Sequence, residues 1–401
     1  MQWIYLLEGK VQHYSWGGYD YIPSLLQVAN STSNPFAEYW LGAHPAQPSL
    51  LVKNDGKEPL HQFIGADPEA MLGQQPASQF GALPFLLKIL DVRQMLSIQV
   101  HPNLEQAAAG FEKENAAGIP LEIATRNYKD ANHKPELMVA LSDFWLLHGF
   151  KPEGELLQTL KDISSFEPLI SSFEKGGYKV LFEEVMAPDS AATETILKGL
   201  LDEIVPLYEA GKLTPDLPHF WAARAFQTFC KEGRLDKGIF SIYFFNLLHL
   251  KEGEAIFQDA GLPHAYLKGQ NVEIMANSDN VLRAGLTDKH VDIPELLKLV
   301  RFEPTYPKII AGVDASTMLY ESPAAEFQLT QYRIKGGEEL MINCQAAAIC
   351  FLLNGKLLVS EGGTKLEMHG GTSCFCMAGA HMALHALEDA RLFVATVPNK
   401  N

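Results

Sequence analysis

The strongest constraint on the fold is a change of hydrophobic period in the middle of the chain. From Pro152 to about Gly233, apolar residues recur at every third or fourth position, as Leu156, Leu157 and Leu160 do, and this spacing is typical of amphipathic helices. The flanking segments contain short apolar runs separated by turn residues, which is typical of strands. The chain is therefore predicted to be mainly β: a jelly-roll or barrel interrupted by a helical insertion, followed by a smaller β domain.

These changes of pattern divide the 401 residues into three predicted domains. Residues 1–151 and 234–312 are expected to form one discontinuous β domain. Residues 152–233 are expected to form the helical domain, and residues 313–401 the C-terminal β domain. Two or three domains also agree with the length, because domains of about 150 residues are typical.

Local apolar runs predict individual strands. Two runs, Pro84–Leu90 and Met95–Val100, are expected to pair as a hairpin, and Ile239–Phe245 is expected to form a further strand. In the run Phe351–Val359, the dipeptide Asn354-Gly355 predicts a second hairpin, because Asn-Gly suits a tight two-residue turn.

Capping residues predict where helices begin and end. Asp189 or Ser190 is expected to cap a helix of the insertion, which Pro206 is expected to end or bend. Asp292, followed by an early proline, predicts a short helix after the insertion. Residues 106–115 are also expected to be helical.

Composition excludes several classes of partner. The 32 lysines and arginines against 48 aspartates and glutamates give a formal charge of −16, so binding to nucleic acid over a broad surface is not expected. No apolar run approaches the roughly 18 residues of a membrane span, and residues 1–5 do not resemble a signal peptide. The five cysteines contain no Cys-x-x-Cys pair, which predicts reduced thiols and a cytoplasmic protein.

Three separated stretches carry residues that can bind a divalent metal. Gln99 and His101 alternate along a predicted strand and share a face. Glu136 follows a Lys-Pro step, and His264 follows a turn. Two imidazoles and a carboxylate suit Zn²⁺, and an amide oxygen is a weaker fourth ligand. Taken singly, such stretches are more often an ordinary strand pair, a solvated loop or a turn than a metal site. Co²⁺ or Mn²⁺ also accepts such ligands.

A second group of residues can hold an anion. Residues 273–285 are expected to form a strand, turn through four polar residues and return as a strand that ends with Arg283. The planar guanidinium of Arg283 suits a phosphate or an oxyanion, and Lys289 follows six residues later. Lys88 interrupts an apolar strand, so it is either an edge residue or a cation of the site.

The chain resembles the type I mannose-6-phosphate isomerase family in five separated motifs, which follow in order between about residues 3 and 310. The last 90 residues match this family only in their general β character. The motifs are residues 12–17, Glu38–Pro45, Leu96–Asn103, Tyr128–Leu137 and Gly269–Lys289.

This resemblance implies a cupin-like catalytic domain, a helical domain and a C-terminal β domain. It also implies a zinc-dependent interconversion of mannose 6-phosphate and fructose 6-phosphate, with a small-molecule sugar phosphate as the substrate. The implied ligands of one Zn²⁺ are Gln99, His101, Glu136 and His264. The other implied residues of the site are Arg283, Lys88, Lys134, Lys289, Ser97, Glu273, Asp279 and His44.

The reaction needs one group that opens the sugar ring and another that moves a proton between C1 and C2. Lys134, beside Glu136, is a candidate acid or base, and Asp279, His133 and Glu273 compete with it. His44 is a candidate for assisting ring opening. Arg283 is expected to stabilise the enediolate or to hold the phosphate.

Three further expectations concern departures from the family pattern, alternative functions and the oligomeric state. Two positions, Leu104 and Asp288, depart from the pattern of the family and are expected to affect substrate affinity. The alternatives are another metal-dependent cupin enzyme that acts on a different sugar, or a non-catalytic sugar-binding cupin. We expect a monomer, in which the C-terminal domain packs against the catalytic domain.

Overall fold

The computed structural model describes residues 2–187, 190–231 and 233–398. Most of its regular structure is strand, with a block of helices between residues 153 and 229. The helices are α1 (Tyr21–Leu25), α2 (Leu60–Ala66), α3 (Pro68–Leu72), α4 (Gln74–Phe80), α5 (Leu104–Ala116), α6 (Glu153–Asp162), α7 (Glu167–Met186), α8 (Ala191–Glu209), α9 (Pro218–Phe229), α10 (Gly238–Phe244) and α11 (Ile293–Leu299).

The strands form sheets of ten, eight and four members. They are β1 (Ile4–Glu8), β2 (Lys10–Gln12), β3 (Glu38–Gly42), β4 (Leu50–Lys53), β5 (Gly56–Pro59), β6 (Phe85–Val92), β7 (Gln99–Val100), β8 (Glu136–Ala140), β9 (Phe144–Phe150), β10 (Phe245–Leu250), β11 (Ala255–Gln258), β12 (His264–Ala276), β13 (Leu282–Arg283), β14 (Thr317–Tyr320), β15 (Gln328–Ile334), β16 (Glu339–Asn343), β17 (Ala348–Asn354), β18 (Lys356–Glu361), β19 (Thr364–His369), β20 (Ser373–Cys376), β21 (His381–Ala386) and β22 (Ala390–Thr396).

The ten-stranded sheet is organised around the long strand β12, which pairs antiparallel with β6, β7, β8 and β9. Every residue of β6, β8 and β9 is buried, and this explains their nearly continuous apolar sequences. Because one strand contacts four others, residues that are far apart in sequence meet along it.

The helices α6–α9 confirm the predicted helical character of this segment. They share one core with β9 and α10, and its largest buried side chains include Trp221, Phe166 and Phe182. Ser190 caps α8, because its side chain accepts a hydrogen bond from the Thr193 N–H; the alternative cap, Asp189, lies outside the described residues. Pro206 lies inside α8, which ends three residues later.

The eight-stranded sheet joins the two ends of the chain. In it β1 lies between β4 and β20, and Ile4 is opposite Cys376. This sheet therefore crosses the predicted boundary at residue 313, and the domain boundaries stay a prediction. The four-stranded sheet β16-β21-β18-β19 consists of residues from the C-terminal region alone.

The predicted hairpin of Pro84–Leu90 with Met95–Val100 is wrong. Strand β6 pairs with β3 and β12, whereas β7 pairs with β12 and β13. Between them, the N–H groups of Leu96 and Ile98 donate to the carbonyls of Tyr266 and Gly285 instead of to a ladder partner. The apolar residues of this segment are buried without forming a strand, and sequence period alone does not distinguish the two cases.

Three other strand predictions are corrected. Residues 238–244 form the helix α10, which is buried on every side, so its apolar run has no visible period. Asn354-Gly355 does not close a hairpin, because β17 and β18 belong to different sheets; the turn instead connects them, with a positive φ of 85° at Gly355. Strand β13 pairs with β7, and not with β12 as predicted for residues 273–285.

Two other local predictions, both of helices, are confirmed. Helix α5 includes residues 106–115, and Asp292 caps α11 by accepting from the Glu295 N–H. The five cysteines are free in the structure. Across the described residues, we find no helix with the length and apolarity of a membrane span.

Candidate metal centre and substrate pocket

Three potential metal ligands meet where strands of the ten-stranded sheet begin or end. Glu136 begins β8, His264 begins β12, and His101 directly follows β7. One ligand atom from each residue lies within 4.8 Å of the others, and all three residues are buried. The Glu136 carboxylate lies between the two imidazoles, with Oε1 3.5 Å from His101 Nε2 and Oε2 3.3 Å from His264 Nε2.

Backbone carbonyls orient both imidazoles. The Nδ1–H of His101 donates to the Asn280 carbonyl at 2.7 Å, and the Nδ1–H of His264 donates to the Leu262 carbonyl at 3.0 Å. Because Nδ1 carries the proton in each ring, Nε2 presents a lone pair towards Glu136. Partners of this kind, outside the metal ligands, fix the tautomer that a metal needs.

The protonation states of these residues fit a divalent cation. Burial lowers the pKa of His101 to about 4, so its imidazole is neutral at pH 7. Burial alone would raise the pKa of Glu136, but Lys134 and His101 outweigh it and hold this pKa well below its usual range. The buried Nε2 atom of His101 has no hydrogen-bond partner within the described part of the chain. A zinc ion would satisfy it, and two nitrogens with one carboxylate are a common zinc donor set.

Gln99 lies beside this cluster. It is opposite His264 in the β7–β12 pair and opposite Arg283 in the β7–β13 pair. The residue is half-buried and lines the cavity in front of the three ligands. The sheet therefore places an amide between the predicted metal ligands and the predicted anion-binding arginine.

A polar cavity of about 480 Å³ opens in front of the metal cluster. It contains most of the residues that the sequence predicted for the site, and it is large enough for a sugar phosphate. Its predicted lining residues are Lys88, Ser97, Gln99, Lys134, Glu136, His264, Glu273, Asp279, Arg283 and Lys289.

Lys88 is a buried cation of the site and not an edge residue. Its Nζ lies 3.2 Å from Glu273 Oε1 and 3.4 Å from Glu38 Oε2. Burial opposes the charge, but the two glutamates outweigh it and raise the pKa of Lys88. Tyr266 donates to Glu273 at 2.8 Å, and Trp40 donates to Glu38. Each charged group of this cluster is thus paired and hydrogen-bonded, as burial requires.

Glu273 differs from the predicted metal ligand Glu136 in the direction of its pKa shift. Burial raises the pKa of Glu273, and the neighbouring charge of Glu136 raises it further, while Lys88 acts in the opposite direction. Lys134 contacts Glu136 Oε1 at 3.0 Å. Two buried carboxylates whose pKa values are shifted in opposite directions therefore lie in one pocket, which is a common arrangement of acid and base groups.

His44 reaches the pocket through Asp279. Its Nε2 lies 3.2 Å from Asp279 Oδ2, and this contact lowers the pKa of Asp279. Asp279 lines the cavity, whereas His44 is buried behind it. By contrast, His133, a competing base in the sequence analysis, is paired with Glu326 at 2.8 Å and is not among the cavity-lining residues.

Arg283 and Lys289 offer positive charge at one part of the cavity. In the ranges that the structure describes, neither forms an ion pair with a carboxylate. Burial and the nearby charge of Arg283 both lower the pKa of Lys289. Asp288 pairs with Lys231 at 3.2 Å, and Leu104 is exposed at the start of α5, outside the cavity lining. Leu104 is therefore not part of the pocket as described.

Sequence reasoning missed four residues of this site: Glu38, Trp40, Tyr266 and Lys231. The first two lie in a recognised motif, but nothing in the sequence indicated that Glu38 would pair with a lysine fifty positions later. Tyr266 alternates with His264 on β12, which is a usable signal. Lys231 follows α9 near the end of the helical insertion and carries no sequence signal.

The fold and the donor set define a class of protein: a mainly β, metal-dependent enzyme of the cupin type with a polar pocket for a small anionic substrate. Comparisons with known proteins give its family. Residues 4–153 match the family model of the phosphomannose isomerase type I catalytic domain. The chain is 37% identical over 383 residues to mannose-6-phosphate isomerase of Escherichia coli, covering 93% of this chain and 94% of the relative.

Comparisons with more distant relatives indicate the same family. The human mannose-6-phosphate isomerase is 31% identical, with 98% of this chain and 97% of that protein covered. A crystal structure of the Salmonella typhimurium enzyme, bound to its substrate fructose 6-phosphate and to zinc, has a TM-score of 0.89, is 33% identical and covers 99% of this chain and 100% of that one. The chain belongs to the type I mannose-6-phosphate isomerase family, and the predicted resemblance, fold class and zinc cofactor are confirmed.

Proposed function

We propose that the metal cluster and the cavity in front of it catalyse the interconversion of mannose 6-phosphate and fructose 6-phosphate through an enediol. The chain is a zinc-dependent aldose–ketose isomerase. The observation that carries the assignment is the buried set His101, Glu136 and His264, of which Glu136 and His264 line a cavity with both acidic and basic side chains. A sugar phosphate is the substrate class.

The four residues Gln99, His101, Glu136 and His264 would hold the zinc ion, with the amide oxygen of Gln99 as the weaker fourth ligand. Zinc supplies positive charge that stabilises a developing oxyanion. Arg283 and Lys289 bind the phosphate, since they are free of carboxylate partners among the described residues. Ser97 and Lys88 bind sugar hydroxyls, which orients C1 and C2 towards the buried carboxylates.

Glu273 is our proposed proton-transfer base. Its raised pKa brings the carboxylate closer to neutral pH, where a general base is most effective. Lys88 and Tyr266 hold its two oxygens in place. Lys134 lies beside Glu136 and is our proposed proton donor for the oxygens of C1 and C2. The base and the acid are thus separate groups of one pocket.

Ring opening is assigned to the pair His44 and Asp279. The imidazole and the carboxylate are 3.2 Å apart, so together they can take a proton from the ring hydroxyl and return one to the ring oxygen. Asp279 has a lowered pKa, which makes it a weaker base than Glu273. This difference favours a role for Asp279 in ring opening rather than in the proton transfer at carbon.

The test is a coupled assay with mannose 6-phosphate on the purified protein. We expect activity as isolated, loss of activity after chelation, and recovery when Zn²⁺ is restored, because the ligands are ordered by the protein itself. Glucose 6-phosphate and free mannose serve as comparison substrates. Activity that is unchanged in a demonstrably metal-free sample, or that favours a comparison substrate, would contradict the assignment.

The substitution Asp279→Asn separates ring opening from proton transfer. We expect kcat to fall by about a hundredfold or more, because an acid–base group typically contributes about 10²–10⁴-fold to the rate, with KM nearly unchanged. The same coupled assay measures both constants. Full turnover in this variant would remove Asp279 from the reaction and leave ring opening without an assigned carboxylate.

We also propose that the chain acts as a monomer in the cytoplasm. The free cysteines support this location, because thiols stay reduced in the cytosol. The site is formed by residues of one chain, so a second copy is not needed to complete it. Sedimentation of the purified protein as a dimer would contradict the oligomeric state.

A further inference from the structure

We propose that Lys231, which lies two residues after the end of α9 in the helical insertion, binds the phosphate of the substrate and exchanges its ion partner Asp288 for that phosphate. The inference rests on the proposed function and concerns one part of the same pocket. It assigns to the helical region a direct part in recognising phosphorylated sugars.

Backbone contacts hold residues that follow Lys231, from Asp236 onward, against the segment that follows β13. The carboxylate of Asp236 accepts hydrogen bonds from the N–H groups of Gly238, Leu286 and Thr287 at 2.7, 2.8 and 2.9 Å. Leu286 has a positive φ of 54°, which is uncommon for a residue other than glycine. Because a Cβ on Gly285 would lie 2.5 Å from the Gly238 Cα, the two segments are in direct backbone contact. The segment after α9 is therefore fastened to the segment after β13.

Three cations and one carboxylate lie near this junction. Lys231, Asp288, Arg283 and Lys289 all line the cavity. Lys231 and Asp288 pair at 3.2 Å, and both side chains are more than half exposed. In the described chain, Arg283 and Lys289 have no carboxylate partner. The group thus carries a net charge of about +2 in a chain of net charge −16.

A sugar phosphate complements this local charge. A phosphate monoester carries about −1.5 to −2 charges at pH 7 and three strong acceptor oxygens. An exposed ion pair such as Lys231–Asp288 contributes little stability, so Lys231 can leave Asp288 at small cost. A charge-assisted hydrogen bond to phosphate is stronger than that exposed pair. The phosphate is therefore the better partner for Lys231.

The experiment compares Lys231→Met and Asp288→Asn with the wild type in an isomerase assay with fructose 6-phosphate as the substrate. We expect Lys231→Met to raise KM about tenfold with kcat unchanged, because the contact binds ground state and transition state equally. Asp288→Asn is expected to lower KM about threefold, since it removes the competing carboxylate. Inhibition constants of inorganic phosphate should change in the same directions. Lys198→Met, which removes an exposed lysine of α8, is the matched control and should leave KM unchanged.

A second readout does not depend on turnover. Inorganic phosphate should raise the melting temperature of the wild type more than that of Lys231→Met. If the wild type is active and Lys231→Met keeps the wild-type KM and phosphate inhibition, Lys231 forms only a surface ion pair and the inference is overturned. An inactive wild type that shows the expected loss of phosphate stabilisation in Lys231→Met would instead contradict the proposed function and support the phosphate contact.

Discussion

Glu136→Gln should abolish zinc-dependent turnover. The carboxylate is the only anionic member of the cluster, and its two oxygens face the Nε2 atoms of His101 and His264. Replacing it with a neutral amide leaves the cation without a charged ligand and Lys134 without its ion partner. We expect the bound zinc to be lost and kcat/KM to fall on the order of a thousandfold or more, because the metal provides the main charge stabilisation.

Metal content by elemental analysis and the coupled assay measure the two effects of Glu136→Gln. The control is Glu194→Gln, which removes an exposed carboxylate of the helical region and should change neither quantity. A Glu136→Gln protein that retains one zinc per chain and normal turnover would show that the three-residue cluster is not the catalytic metal centre.

Lys88→Met should have the largest effect on stability. Lys88 is the shared cation between Glu38 and Glu273, and all three side chains are at least nine-tenths buried. Removing one partner of a buried ion pair leaves uncompensated charge, which costs about 3–5 kcal/mol. Denaturant unfolding at pH 8 should show a loss of this size. The variant should also lose activity, because the base Glu273 loses one of the groups that orient it.

The effect of Lys88→Met depends on pH in a defined direction. The pKa of Glu273 is already raised in the folded protein, and it should rise further when Lys88 is absent. A carboxyl group with a raised folded pKa binds more protons folded than unfolded, so its folded state loses stability as pH rises above the unfolded value of about 4.3. The stability loss should therefore be smaller at pH 5 than at pH 8. Equal losses at both pH values would indicate a packing defect instead.

The chemistry of the site was easier to predict from sequence than its spatial arrangement. Residue types and motif spacing indicated His101, Glu136 and His264, and the structure brings them together. Their meeting depends on β12, whose four strand partners span residues 85–150. No local pattern encodes such distant pairing, since strand register is set by the whole sheet.

Prediction of secondary structure from the sequence failed most clearly where residues are buried on all sides. Residues 238–244 are fully buried and β-like in composition, yet they form a helix. Residues 95–98 are apolar except for Ser97 and lie outside any strand, and the N–H groups of Leu96 and Ile98 donate to the carbonyls of Tyr266 and Gly285. In both cases the amphipathic pattern that distinguishes helix from strand is absent. The ion pair of Lys88 was also unpredictable, because its two partners come from different strands.

The eight-stranded sheet has a consequence for how the protein is made. Strand β1 leaves the ribosome long before one of its two neighbours, β20, which ends at Cys376. Strand β1 therefore stays unpaired along one edge until β20 has been translated. Contacts between such distant residues also slow folding, so completion of this sheet is a late event in the maturation of the molecule.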